Sequence, residues 1–283
     1  MTTVRVSCLI PTRNRWSLLQ RAVASARAPG VEIVVVDDGS TDETALQGPA
    51  LEGVRYVRGP GAGVAAARNA GAAVARGEWL AFLDDDDEWL PGKLERQLSW
   101  LEGLGAGFGS TGVLEVSEEG ALPPRLGPEP GPVPWGRLLQ GNFVCTSTVL
   151  LRRQVFLEAG GFDPGLRTSE DWDLWLRAAL LSPVHHLPEP WTRYRVQGGE
   201  KLTADRERLW RDGITVQRRY AARASREWRG PARRTLADAC LRVAGAAWRR
   251  GAWGQALRDL LAAFRTDPWY ALRHLARQAL RGR

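Results

Sequence analysis

Trp79-Leu-Ala-Phe-Leu-Asp-Asp-Asp-Asp-Glu-Trp89 is the stretch that decides the fold. The apolar residues 80–83 read as a covered strand that passes directly into Asp84, Asp85, Asp86 and Asp87. Adjacent carboxylates repel one another, so folding stability alone gives little reason to keep them together. A divalent cation is the natural neutraliser, because Mg²⁺ and Mn²⁺ take oxygen ligands and often bridge carboxylates to substrate phosphates. The plain alternative is a solvated acidic loop. Position favours the cation, since open α/β sheets bind ligands outside the carboxyl ends of their strands.

Working outward, residues 4–10 form a short apolar strand, closed by Pro11-Thr12-Arg13-Asn14. Residues 16–28 carry apolar side chains at helical spacing and stop at Pro29-Gly30. Residues 31–36 are nearly all β-branched, as in a strand covered on both faces, and end in Asp37-Asp38-Gly39-Ser40. Ser40 or Thr41 can cap the next helix, with Glu43 in its first turn. A strand over 54–57 and an alanine-rich helix over 63–76 precede the opening stretch. The β-α-β-α-β-α-β order predicts a mostly parallel sheet with helices on both faces. Beyond it, Pro91 opens a helix to about 104, 108–116 is a strand, and the proline-rich 120–134 is a surface loop. A strand over 146–151, helices over 153–159 and 170–180, and an extended segment over 185–196 follow.

The basic character of the chain is local. Residues 201–283 hold 20 Arg and Lys against 7 Asp and Glu, a net of +13, whereas residues 1–200 hold 19 against 25, a net of −6. The last part is therefore read as a basic α-helical appendage over 203–283, after a larger domain over 1–202. No apolar run approaches the roughly 20 residues of a membrane span, and the first residues enter a strand without a secretory signal. The odd, scattered Cys8, Cys145 and Cys240 suggest small buried thiols. These points favour the cytoplasm, with peripheral attachment to the inner face of a membrane as an extension.

Six short motifs stand in order: Pro11-Thr-Arg-Asn-Arg15, Asp37-Asp-Gly-Ser-Thr-Asp42, Gly61-Ala-Gly-Val-Ala-Ala-Ala-Arg-Asn-Ala-Gly71, the aspartate run, Gly160-Gly-Phe-Asp-Pro164 and Ser169-Glu-Asp-Trp-Asp-Leu174. Together, over roughly residues 4–200, they resemble the family 2 glycosyltransferases of the GT-A fold. The resemblance implies transfer of a sugar from a nucleotide-diphosphate donor, uridine favoured, to an acceptor hydroxyl with inversion. The acceptor would be a glycan, a lipid-linked sugar or a small molecule, in surface glycan or glycolipid synthesis. It divides the domain into a nucleotide-binding half, about 1–104, and an acceptor half, about 105–202. It places Pro11, Thr12, Arg13 and Asp38 at the nucleobase, and Arg68, Asp84 and Asp85 along the nucleotide. Asp86, with Asp84 and Asp87, would hold Mn²⁺ or Mg²⁺. Asp171 would be the base that takes the acceptor proton, with Glu170 beside it. The residue-level alternatives are a turn or cap for Asp38, a helix-surface arginine for Arg68, and first-turn acids complementing a helix dipole for Glu170 and Asp171. Trp172 and Trp175 suit core packing better than sugar stacking.

The pattern also departs from the family. Tyr194-Arg195-Val196 is followed by Gln197, where many members place a histidine. Of His185 and His186, adjacent on a strand, at most one can enter a site. The Gln-x-x-Arg-Trp signature of processive synthases is missing, which favours single-sugar transfer. A sugar-phosphate nucleotidyltransferase is the alternative enzyme, but 11–15 offers no Gly-rich phosphate loop. A membrane-surface or partner-binding protein is the alternative from another class. Arginines beside Trp248, Trp253, Trp269 and Tyr270 suit a helix on an anionic membrane, whereas no nucleic-acid motif accompanies the charge. Residues 247–268 resemble part of one tetratricopeptide repeat without a second copy, so plain amphipathic helices are the simpler reading.

Overall fold

The computed structural model describes residues 4–59, 61–117, 119–196 and 205–281. It divides into two compact units: Met1–Val133 with Phe143–Gly199, and Pro134–Asn142 with Glu200–Arg283. The first unit is built on a mixed sheet. β1 (Val6–Thr12) is wholly buried and pairs in parallel with β2 (Val31–Asp37) on one side and β4 (Trp79–Phe82) on the other. β3 (Val54–Arg58) lies outside β2, again parallel.

Both faces of these strands are apolar, so alternate residues serve different helices. Cys8 and Ile10 of β1, with Ala81 of β4 and Leu83 beyond it, face α1 (Trp16–Ala26) and α4 (Lys93–Gly103). Leu9 and Val36 face α3 (Val64–Val74) instead. α1 buries Leu19, Ala22, Val23 and Ala26, the helical stripe legible in the sequence. The two-sided burial explains why β2 reads as a continuous β-branched run rather than an alternating one.

Past β4 the sheet changes direction. β9 (Leu150–Arg152) inserts antiparallel between β4 and β6 (Phe108–Ser117). β10 (His185–Arg195) then runs parallel to β6, and β5 (Glu88–Trp89) closes the edge antiparallel to β10. Two short pairings, β7 (Gly120–Ala121) with β6 and β8 (Gly131–Pro132) with β10, tie down the proline-rich segment expected to be only loop. α6 (Arg153–Glu158) and α7 (Glu170–Leu181) complete the unit. Trp175 of α7 is fully buried, packing on Phe82 of β4 and Phe108 of β6 with ring centroids 5.7 and 5.4 Å apart. That aromatic core fixes the start of α7 against the end of β4.

Two local expectations are corrected. α2 (Glu43–Gln47) is capped by Asp42, whose carboxylate accepts from Thr44 N at 2.9 Å, and not by Ser40 or Thr41. The Ser40 hydroxyl is engaged elsewhere, accepting from Asn14 N at 2.9 Å. Residues 146–151 are not one strand: Thr146–Thr148 forms a 3-10 turn before β9. The hydroxyl of Thr148 donates to Cys145 O at 2.7 Å, the local side-chain bonding that competes with a ladder.

The second unit is helical. α5 (Trp135–Gln140) packs with α8 (Arg206–Tyr220) and α9 (Arg226–Arg249), and α10 (Trp253–Thr266) and α11 (Pro268–Arg281) follow. Its core holds Ile214, Leu236, Cys240, Leu241, Val243, Ala263 and Ala271. Cys8 and Cys240 are buried, Cys145 is half-buried, and all three are free thiols.

Candidate active site

The site is assembled at the carboxyl ends of β1, β2 and β4, where the chain leaves the sheet in polar turns. At the end of β2, Asp37 is fully buried and accepts from Ser40 N at 2.6 Å, from Arg58 Nη1 at 2.6 Å and from the Tyr56 hydroxyl. Burial alone would raise its pKa, but these bonds and the Arg58 charge bring it below the ordinary value. Asp37 is thereby a fixed post for the turn. Asp38 points across to the loop before α3, accepting from Ala62 N at 3.2 Å and Gly63 N at 2.8 Å. Asn14, in the left-handed region at φ 54°, accepts from Thr41 N at 2.7 Å and joins the first turn to the second.

The aspartate run splits into inward and outward members. Asp85 turns inward: Thr12 Oγ1 donates to it at 2.8 Å and Arg15 Nη1 at 3.0 Å. Burial is the main reason its pKa rises to about 6, against the lowering pull of Arg15 and Thr12. Asp87 also turns inward, accepting from Ser147 Oγ at 2.6 Å and from Arg195 N at 3.1 Å. Its burial, with the charges of Asp84 and Asp86, raises its pKa well above the usual range. Asp84 and Asp86 keep side-chain exposures of 31% and 11%. The alternation is that of a tight turn in which Asp87 N donates back to Asp84 O.

Arg68 is the hub. Its side chain is buried within α3, where the expectation allowed for an ordinary surface arginine. Nη2 donates to Asp84 Oδ1 at 2.5 Å and Nη1 to Glu170 Oε1 at 2.8 Å. The guanidinium also lies 5.2 Å from the Phe162 ring centroid. Burial would lower its pKa, yet the two carboxylates hold it above the ordinary arginine value. Glu170 rises from 4.5 to about 7, through burial first and the Asp171 charge second, with Arg68 opposing.

α7 is brought to this place by the turn before it. Asn69, next to Arg68, donates to Phe162 O at 2.8 Å and accepts from Phe162 N at 2.9 Å. Gly161 sits at φ 69°, and a Cβ there would meet Asn69 Oδ1 at 2.8 Å, so the close approach requires glycine. Ser169 enters α7 in the left-handed region. Asp171 then accepts from Trp172 N at 2.7 Å and from Thr146 Oγ1 at 3.2 Å.

The structure thus brings together Arg68, Asp84 and Glu170 directly, and Thr12, Asp85 and Arg15 directly. Pro11 is buried within β1 opposite Val36, and Arg13 is exposed. Trp175 is core, and Trp172 is also buried. His186 is buried against Ser110 Oγ at 2.9 Å and Leu126 O, and His185 lies on Pro183 O. Neither is bonded to the aspartate run. Gln197 lies outside the described residues. Sequence reasoning assigned no role to Thr146 and Ser147. Ser147 accepts from Asp84 N at 3.1 Å while donating to Asp87, and Thr146 reaches Asp171, so adjacent residues link both halves of the site.

Among the described residues no three acidic, histidine or cysteine groups converge into a cation cage. Both Asp87 oxygens are taken by protein donors. Asp84 Oδ1 pairs with Arg68 at 2.5 Å and Asp86 Oδ2 lies 3.6 Å from Arg15 Nη1. With these cations beside them, the two more exposed carboxylates at the strand end are the donor type that fits a hard cation completing its shell with phosphate and water.

A mixed sheet of this order with acidic turns at its strand ends defines a class, and comparison with known proteins identifies it. The model of glycosyl transferase family 2 matches residues 7–158, and the chain belongs to that family. An uncharacterized glycosyltransferase of Rickettsia felis is 30% identical over 196 residues, which are 64% of this chain and 32% of that protein. The chain thus spans about a third of the length of that relative. TuaG of Bacillus subtilis, a glycosyltransferase assigned to teichuronic acid biosynthesis, is 29% identical over 60% of this chain and 70% of its own length. Among solved structures, S. aureus TarS 1-349 in complex with UDP-GlcNAc superposes with a TM-score of 0.70 at 18% identity, covering 93% of this chain and 83% of that one. The mannosyltransferase PcManGT of Pyrobaculum calidifontis, in complex with GDP-Man and Mn²⁺, gives 0.61 at 19% identity over 98% and 79%. These likenesses establish the GT-A type of fold.

Proposed function

We propose that the protein is an inverting glycosyltransferase that moves one sugar from a nucleoside-diphosphate donor to an acceptor hydroxyl in surface glycan or glycolipid synthesis. The observation that carries this is the buried bridge Asp84–Arg68–Glu170, which sets the opening turn of α7 against the aspartate run. The donors bound by TarS and PcManGT, and the pathway of TuaG, support the substrate class.

In this reading the nucleotide lies over the ends of β1 and β2, with Thr12, Arg13 and Asp38 on its base side. Asp37, Asp85 and Asp87 brace the turns from within. Asp86 and Asp84 would hold Mn²⁺ or Mg²⁺, which when bound would neutralise charge on the departing diphosphate. Arg68 adds a fixed cation beside Asp84 in a buried setting where electrostatic interactions are strong. Asp171 accepts the proton of the acceptor hydroxyl as its oxygen bonds to the anomeric carbon and the bond from that carbon to the diphosphate oxygen breaks. Glu170 positions Arg68. Thr146 orients Asp171 through its hydroxyl.

The test is binding of UDP, GDP and dTDP with and without Mn²⁺, read as thermal stabilisation. A ligand at about 100 times its Kd stabilises by about 2.7 kcal/mol. At least one diphosphate should stabilise the protein with Mn²⁺, and EDTA or Asp86→Ala should remove most of the effect. Undiminished binding in EDTA, with Asp86→Ala equally unaffected, rules out the metal role. A lack of response to every diphosphate contradicts the donor assignment.

A further inference from the structure

We infer that α10 and α11 form a docking face for an anionic lipid bilayer. α10 fully buries only Ala256 and Ala263, and α11 only Ala271, with Leu260, Phe264 and Tyr270 partly buried against the same core. The opposite side of a surface helix is ordinarily polar. On α10 the margin of the core-facing side instead carries Trp253, Leu257 and Leu261 at i, i+4, i+8, with Trp253 56% and Leu257 58% exposed. On α11, Trp269, Leu272 and Leu275 are exposed likewise, Trp269 at 71%. Trp248, at the end of α9, packs edge-on against Trp253 with centroids 4.4 Å apart, so the two indoles present one aromatic edge.

Charge selects the occupant. Exposed Arg249, Arg258, Arg265 and Arg273 are interleaved with these apolar side chains. Among the described residues none of the four has a carboxylate partner, in contrast to Arg211 and Arg242 nearer the core. Exposed Trp and Leu with long cationic side chains beside them match a headgroup region, where rings sit at the boundary and guanidinium groups reach phosphate. A second copy would bring the same unpaired cations face to face. No helix among the described residues is long and apolar enough to cross a membrane, so attachment is to the surface.

The test is flotation of the full chain with phosphatidylcholine vesicles, with and without phosphatidylglycerol. The expected result is co-flotation with the anionic vesicles alone, weakened by salt. Trp253→Glu with Trp269→Glu should lower the affinity at least about tenfold, because burial of their apolar surface is lost. Arg258→Gln and Arg265→Gln should each cost about fivefold, equivalent to about 1 kcal/mol per basic residue near an anionic surface. All four side chains are exposed, so the folded state should persist, checked by circular dichroism and by diphosphate binding. Should the tryptophan pair fail to fold, the arginine variants carry the test alone. Absence of flotation with phosphatidylglycerol, or flotation unchanged in folded variants, overturns the inference. Concentration-dependent dimerisation lost in Trp253→Glu, without vesicle binding, would assign the face to a second copy instead.

Discussion

Asp171→Asn lowers transfer to acceptor by roughly 10²–10⁴-fold at saturating donor and acceptor, the usual share of general base catalysis. The change is nearly isosteric: asparagine keeps one oxygen for the Trp172 amide, and its NH2 can donate to the Thr146 hydroxyl, which can accept as well as donate. Diphosphate binding and melting temperature therefore stay close to those of the parent. A purely structural first-turn acid would behave oppositely, costing about 0.3–1 kcal/mol of stability and sparing the rate. The pH profile separates the neighbours. Glu170, raised to about 7 by burial and the Asp171 charge, loses its proton as pH rises through neutrality and strengthens its hold on Arg68. The rate should therefore climb across that range. In Glu170→Gln the inflection should vanish with a smaller loss of rate. The matching stability effect follows from the sign. The folded pKa lies above the ordinary 4.5, so the contribution of Glu170 is full below about 4.5 and is lost as pH rises through about 7. Turnover of Asp171→Asn within a few-fold of the parent would remove Asp171 from the mechanism.

Arg68→Met should destabilise the fold by about 3–5 kcal/mol, the range for removing one partner of a buried ion pair. Asp84 and Glu170 would then be left facing each other with no cation between them. The double change Arg68→Met with Glu170→Gln should recover part of that loss, because a neutral amide tolerates burial better than an orphaned carboxylate. Urea midpoints at unchanged m-values measure both effects. A loss under about 1 kcal/mol for Arg68→Met would show the bridge to be energetically idle, as exposed pairs usually are. Donor binding should fall as well, since the Asp84 turn loses its anchor.

The strand-end turns were legible because each follows an apolar run and each consists of residues with turn chemistry: Pro11-Thr12-Arg13, Asp37-Asp38-Gly39, and Asp84 onward. The parallel half of the sheet followed from the β-branched 31–36 and the helices between strands. What was hidden is non-local. Nothing local says that β9 enters antiparallel between β4 and β6, because a three-residue strand carries little pattern. Thr146-Ser147-Thr148 reads as strand by composition, yet hydroxyl bonding turns it into a 3-10 turn that bridges Asp87 and Asp171. The inward turn of Asp85 toward Thr12 depends on a contact 73 residues away in sequence. The burial of Arg68 was similarly invisible, since a single arginine in an alanine-rich helix looks like a surface residue. The segment Pro134–Asn142 belongs with the helices of the second unit, through a contact between Gly136 and the Trp228 ring that leaves no room for a Cβ.

The most direct test of the central claim is to identify the phosphorus product. The full chain should be incubated with Mn²⁺ and UDP-, GDP- and dTDP-sugars, with simple sugar acceptors, and followed by ³¹P NMR. The account predicts slow release of the nucleoside diphosphate from one donor, with its two phosphorus resonances, and no nucleoside monophosphate or sugar phosphate. It predicts that Asp86→Ala and Asp171→Asn suppress the release while the chain remains folded. Appearance of nucleoside monophosphate with sugar phosphate, or formation of pyrophosphate and a nucleotide sugar when a nucleoside triphosphate and a sugar 1-phosphate are supplied instead, would contradict glycosyl transfer. Release undiminished in both variants would contradict the placement of the chemistry at the strand ends.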